Sequence, residues 1–106
     1  ALGDIGKLFP DSDAACAGAD SIALLERVTA LLREHGWQVG NVDATVVAQT
    51  PKLAPYIPEM RRRLAEAMGL DVDCVSVKAT TEERLGFTGS GEGMAAHAVA
   101  LIERLN

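Results

Sequence analysis

Apolar residues first fall on a helical period over residues 21–35, where Leu24, Val28, Leu31 and Leu32 recur along one face. Asp20 or Ser21 can cap the start, and Gly36 stands just past the end, so the spacing predicts a helix there. The pattern then changes. Over residues 37–49, Val42, Ala44 and Val46 alternate with Asp43 and Thr45, and positions 46–48 are apolar on both faces. That predicts a strand that becomes more buried along its length. Thr50-Pro51-Lys52 ends it, because Pro51 cannot donate to a ladder. Ile57, Met60, Leu64 and Met68 return to helical spacing, predicting a second helix that starts at Ala54 or Ile57 and stops before Gly69.

Residues 73–80 read as a second strand, with Val75, Val77 and Ala79 on one face and Cys74, Ser76 and Lys78 on the other. Residues 82–93 form a loop with four glycines. The tail, residues 94–105, supports two readings. Its alanines favour helix, while the alternation of Met94, Ala96, Ala98, Ala100 and Ile102 permits a strand. Residues 1–18 are dense in Gly, Asp and Pro but carry Leu2, Ile5, Leu8 and Phe9, the mark of an ordered loop. A two-stranded sheet does not stand alone, so the expectation is that the tail pairs as a strand and that further strands lie outside the chain.

Composition narrows this picture. The chain has 106 residues, 48% of them hydrophobic, which suits one domain with a modest core. Only Phe9, Trp37, Tyr56 and Phe87 are aromatic, so the core is aliphatic. A net charge of −5 argues against nucleic-acid binding, which needs a basic face. It leaves room for an anionic small molecule held by local N–H groups, a few cations or a metal ion. Cys16 and Cys74 are too few for a disulfide framework and are not spaced for zinc, so reduced thiols in the cytoplasm are expected. No signal peptide and no membrane-spanning run are visible, and the first residue is Ala in what reads as mid-domain loop, so an upstream segment is expected.

Candidate chemistry gathers in three places. At Lys78-Ala79-Thr80-Thr81-Glu82-Glu83, hydroxyls and strand-end N–H groups can meet phosphate oxygens, and a following carboxylate can hold a hard divalent cation. The plain alternative is a strand end with Glu82 and Glu83 capping a helical turn. Asp4, Asp11 and Asp13 share the first loop with Gly3 and Gly6, where they suit a sugar hydroxyl or a metal and equally suit Asx-turns. Phe9-Pro10 can line a pocket or staple the loop. Thr50-Pro51-Lys52-Leu53-Ala54-Pro55 sets a lysine between prolines at a strand's carboxyl end, where α/β proteins gather ligands, or is an ordinary connection. The Phe87-to-Gly93 glycine loop is a weak phosphate signal. Arg61-Arg62-Arg63, near Glu59 and Glu66, reads as a solvated helix face. His35 and His97 have no partners at ligand spacing, so zinc held wholly within the chain is not expected.

The stretches ALGDIGKLFPD, GADS, GNVDATVVAQTPK, IPEMR, KATTEERLGFTG and GEG, in that order and spacing, make the chain resemble the 2-C-methyl-D-erythritol 2,4-cyclodiphosphate synthase family over essentially its whole length. The resemblance implies an α+β domain, a small mixed sheet with helices packed on one face, that forms a homotrimer with active sites between subunits. It thereby implies a strand for the tail. It implies cyclisation of 4-diphosphocytidyl-2-C-methyl-D-erythritol 2-phosphate with release of CMP, in non-mevalonate isoprenoid synthesis.

Carried over residue by residue, Asp4 and Gly6 match ribose contacts, and Ile5, Phe9 and Asp11 match contacts around the methylerythritol phosphate. Pro10, Ser12 and Asp13 belong to the same substrate-contacting segment. Ala48, Gln49, Thr50, Pro51, Lys52, Leu53 and Ala54 match the cytosine pocket, with Lys52 at its rim. Thr80 and Thr81 match phosphate contacts, Thr81 being the one that steadies the transition state. Glu82 joins them as a substrate contact, and Glu83 matches the ligand of a magnesium or manganese ion. Phe87 and Glu92 match positions facing the trimer channel. Two departures stand out: Ser90 replaces an arginine common at that channel, and the family's zinc ligands belong upstream of Ala1. The chain is therefore expected to be a synthase's C-terminal part, inactive alone. A non-catalytic nucleotide-binding or trimer-scaffold module and a regulatory ligand domain are the alternatives.

Overall fold

The computed structural model describes residues 1–10 and 20–106; Asp11, Ser12, Asp13 and Cys16 lie outside the described residues. The first loop contains one helical turn, α1 (Ile5–Leu8), which the sequence pattern did not announce. Its cap explains it: the Asp4 carboxylate accepts a hydrogen bond from the Lys7 N–H at 2.9 Å, satisfying a donor that a free helix end leaves open.

The predicted first helix is α2 (Ser21–Glu34). Asp20 occupies its cap position, but its side chain makes no capping bond. At the other end His35 Nδ1 meets the Leu31 carbonyl at 2.9 Å. Strand β1 follows (Trp37–Val47). The second helix is α3 (Ile57–Met68), entered through a 3₁₀ turn at Ala54–Tyr56. It ends where Gly69 turns left-handed (φ 68°) and Leu70 N–H returns to the Ala65 carbonyl at 2.8 Å, a closure that favours glycine. Strand β2 (Val75–Thr80) begins two residues later than the sequence pattern suggests. A 3₁₀ turn at Val72–Cys74, capped by Asp71, takes up the difference.

The tail is β3 (Ala95–Arg104), and the sheet order is β2-β1-β3. β1 pairs parallel with β2 and antiparallel with β3, so the sheet is mixed. A parallel neighbour requires a crossover, and α3 supplies it. A bulge between Val39 and Asn41 leaves Gly40 unpaired. The extra residue changes the phase of β1, which lets Val39 and Val42 both pack on the core.

That core is one-sided. Ala65 and Met68 of α3 meet Val75 and Val77 of β2, with Leu25, Val42, Ala44, Val46 and Leu64 packed around them. The helices therefore cover β1 and β2, while β3 is exposed along nearly all its length. Arg61 corrects one expectation. It is not simply solvated: its guanidinium donates to the Val75 carbonyl at 2.7 Å and the Val72 carbonyl at 2.9 Å, tying α3 to the start of β2. Arg62 does lie on the exposed face, between Glu59 and Glu66. No helix among the described residues is long and apolar enough to cross a membrane.

Candidate functional site

Parallel pairing brings two strand ends to one edge. Val46 sits opposite Ala79 and Val47 opposite Thr80, and the Ala48 N–H extends the ladder to the Thr80 carbonyl at 3.0 Å. Past that point Pro51 cannot donate, so residues 48–54 peel away from residues 80–81. Between them opens a cleft of about 200 Å³, lined by Ala48, Gln49, Pro51, Lys52, Leu53, Ala54, Ala79, Thr80 and Thr81. Such carboxyl-end crevices are where α/β sheets bind ligands. Two candidate segments separated by a whole helix thus line one cleft. Thr50 does not line it; Lys52 is exposed at it.

The turn after Thr81 is strained. Glu83 and Arg84 both have positive φ, 53° and 68°, a region that costs a non-glycine residue about 1–2 kcal/mol. Three contacts are prominent among those that hold it. Gln49 Oε1 accepts from the Arg84 N–H at 3.0 Å. The carboxylate of Glu82 accepts from the buried Thr88 hydroxyl at 2.5 Å. Gly89 lies so close that a Cβ there would stand 2.3 Å from the Arg84 carbonyl carbon. The glycine loop is therefore built for packing, and it carries a helical turn, α4 (Gly86–Gly89), where the sequence suggested plain loop.

The two adjacent carboxylates differ in their commitments. Glu82 is engaged by Thr88, whereas the Glu83 carboxylate makes no hydrogen bond or ion pair among the described residues. The hydroxyls differ too. Thr80 Oγ1 donates to the Thr81 carbonyl at 3.2 Å, while Thr81 Oγ1 accepts from the Glu83 N–H at 3.3 Å. Accepting leaves the Thr81 hydroxyl proton available for an anion.

The Glu83 carboxylate is exposed and is a hard oxygen donor, the kind of ligand that magnesium or manganese takes. Zinc does not fit. Among the described residues no three His, Cys, Asp or Glu side chains converge.

The N-terminal candidates lie elsewhere. Ile5 and Leu8 face Leu24, Leu25 and Val28 of α2, and the Arg27 guanidinium sits 4.5 Å from the centroid of the Phe9 ring. Asp4, Ile5, Gly6, Phe9 and Pro10 line no cavity in common with the strand-end cleft. Phe87 is about half exposed. Sequence reasoning missed the bracing roles of Thr88, Gly89 and Arg84. A threonine among glycines has no periodic signal, and the Gln49 contact spans 35 residues.

The YgbB family profile matches residues 1–103. The 2-C-methyl-D-erythritol 2,4-cyclodiphosphate synthase of Thioalkalivibrio sulfidiphilus is 64% identical over 103 residues, 97% of this chain and 64% of that protein. The chain thus spans just under two thirds of the length of such curated relatives. Among solved structures, the bifunctional IspDF of Campylobacter jejuni superposes with a TM-score of 0.93 at 40% identity, over 99% of this chain and 28% of that one. A Plasmodium falciparum IspF–CDP complex gives a TM-score of 0.83 at 29% identity, over 98% of this chain and 62% of that one. The strand-end cleft and its braced turn are thus features of a mixed-sheet chain that belongs to the YgbB family.

Proposed function

We propose that this chain forms the nucleotide and diphosphate part of a 2-C-methyl-D-erythritol 2,4-cyclodiphosphate synthase, a lyase of isoprenoid biosynthesis. The observation that carries the reading is the cleft that sets residues 48–54 against Thr80 and Thr81. The names of the relatives and the CDP bound by the Plasmodium falciparum neighbour support it.

In the proposed reaction, a 2-phosphate oxygen of 4-diphosphocytidyl-2-C-methyl-D-erythritol 2-phosphate attacks the β-phosphorus of the same molecule. The bond from that phosphorus to the CMP phosphate oxygen breaks, and CMP leaves with the electron pair. Because both partners belong to one substrate, no protein nucleophile is required. The protein's task is to fold a polyanion on itself and to place donors where charge develops. Backbone N–H and C=O groups around Pro51 read the cytosine edge. Lys52 brings positive charge to the rim, and the Thr81 hydroxyl donates a hydrogen bond to a phosphate oxygen. Glu82 keeps the turn in place through Thr88, and Glu83 holds the divalent cation. Magnesium or manganese bound there supplies positive charge against the diphosphate.

Ribose and methylerythritol contacts are assigned to Asp4, Ile5, Gly6, Phe9, Pro10, Asp11, Ser12 and Asp13. The described members of that set line no cavity in common with the cleft, which supports sites built between copies of a homotrimer. Phe87, beyond the turn, completes the set. Zinc ligands and the remaining strands are assigned to residues outside these 106, and turnover is expected only in their presence. A cytoplasmic setting belongs to the same reading, with Cys74 a free thiol.

Calorimetric titration of the full-length protein with CDP tests the proposal. Binding at one site per chain, strengthened by magnesium, is expected. A folded protein that binds no CDP overturns it.

A further inference from the structure

Gln49 belongs to two structures at once. It lines the strand-end cleft, and its side-chain oxygen holds the Arg84 N–H at 3.0 Å. The other braces on the turn, Glu82–Thr88 and the close approach of Gly89, come from the turn's own segment. Gln49 alone among them reaches it from the far side of the cleft. The backbone it grips is the left-handed pair Glu83–Arg84, which relaxes toward ordinary φ once a brace is lost. Relaxation at Arg84 swings the preceding Glu83, and the Glu83 N–H is also the group bound to Thr81 Oγ1.

We infer that Gln49 is a positioning residue that couples occupancy of the cleft by a nucleoside diphosphate to the presentation of Glu83 toward a divalent cation. The inference rests on the reading of the cleft as a nucleotide site. A ligand that packs against Gln49 restrains its side chain, and that restraint passes through one hydrogen bond to the turn. By linkage the effect runs both ways: the cation tightens the nucleotide by the factor by which the nucleotide tightens the cation.

The test is calorimetry of CDP binding to the full-length protein, with and without manganese, beside electron paramagnetic resonance of bound manganese. In the parent protein manganese is expected to tighten CDP on the order of tenfold, within the range of ordinary coupling. Gln49→Met fills the same space without the acceptor. Because Gln49 also lines the cleft, the readout is the ratio of CDP affinities with and without manganese, which is expected to fall below about threefold whatever the metal-free affinity becomes. Gln49→Glu retains an acceptor and is expected to restore most of the coupling.

Gly89→Ala, at a residue that does not line the cleft, pushes on the Arg84 backbone and is expected to lose the coupling as Gln49→Met does. A merely structural role would shift thermal stability and leave the coupling ratio unchanged. Full coupling in a folded Gln49→Met or Gly89→Ala protein overturns the inference. A parent protein that binds no CDP at all overturns instead the nucleotide reading beneath it.

Discussion

Glu82 and Glu83 are chemically alike and adjacent, yet they have different futures. Thr88 takes up the first, and the positive φ of the second holds an uncommitted carboxylate on a strained turn. Glu83→Ala in the full-length protein is expected to raise the magnesium concentration for half-maximal activity on the order of tenfold, while protein stability holds or rises. Activity measured against magnesium, beside thermal melting, checks both. Of the two threonine hydroxyls that line the cleft, Thr81→Ala removes the one whose proton makes no hydrogen bond among the described residues. It is expected to lower kcat about a hundredfold with CDP affinity little changed, the split expected of a transition-state contact. Equal losses in kcat and CDP affinity would place Thr81 in ground-state binding instead. The motif was legible in the sequence; which carboxylate was free was not, since Thr88 gives no signal of its own.

Elements are joined here by polar ties that residue patterns do not reveal. Arg61 sits in a run of three arginines, and only its place on α3 brings it to the carbonyls of Val72 and Val75. Arg61→Ala is expected to cost about 1–3 kcal/mol, because charged hydrogen bonds to two carbonyls are lost. Arg61→Lys recovers only part, since a single ammonium does not reproduce the guanidinium fork. Urea denaturation of both variants checks this. Strands β1 and β2 carry a second tie on the sheet face away from the helices, the Asp43–Lys78 pair. The Lys78 ammonium holds the Asp43 carboxyl below its ordinary value of 3.8. A depressed carboxylate stabilises the fold above its unfolded pKa and loses that effect as pH falls through the folded one. Asp43→Asn is thus expected to be slightly less stable than the parent at neutral pH and to match it at about pH 2, both by denaturant titration. The difference is small, since both side chains are exposed and screened.

At the scale of the molecule, β3 is the open question that the fold itself poses. Val99 is 75% exposed and Leu101 55%, and they share with Asp43 and Lys78 the sheet face that no helix covers. An uncovered apolar strand at a sheet edge invites association. Sedimentation of the full-length protein is expected to give a trimer, and Val99→Glu is expected to shift it toward smaller species. A monomer at micromolar concentration would contradict that arrangement. The helical layer covers only β1 and β2, so the core is smaller than the hydrophobic content suggests. Part of that content sits on β3, where it awaits other surfaces.

The sequence by itself determined α2, α3 and both parallel strands, because hydrophobic period and glycine stops are local properties. It determined the family resemblance as well, since the order and spacing of its motifs survive without coordinates. The local pattern left the tail open, and the strand that the resemblance implied is the one the sheet holds. Ala96, Ala98 and Ala100 fit helix or strand equally, and a ten-residue antiparallel partner in β1 settled the matter. Tertiary structure alone decided that residues 48–54 and 80–81 line one cleft, because parallel pairing aligns strand ends that lie about thirty residues apart in the chain. The Gln49–Arg84 bond belongs to the same class. Contacts across such distances depend on register, and register exists only once the sheet has formed.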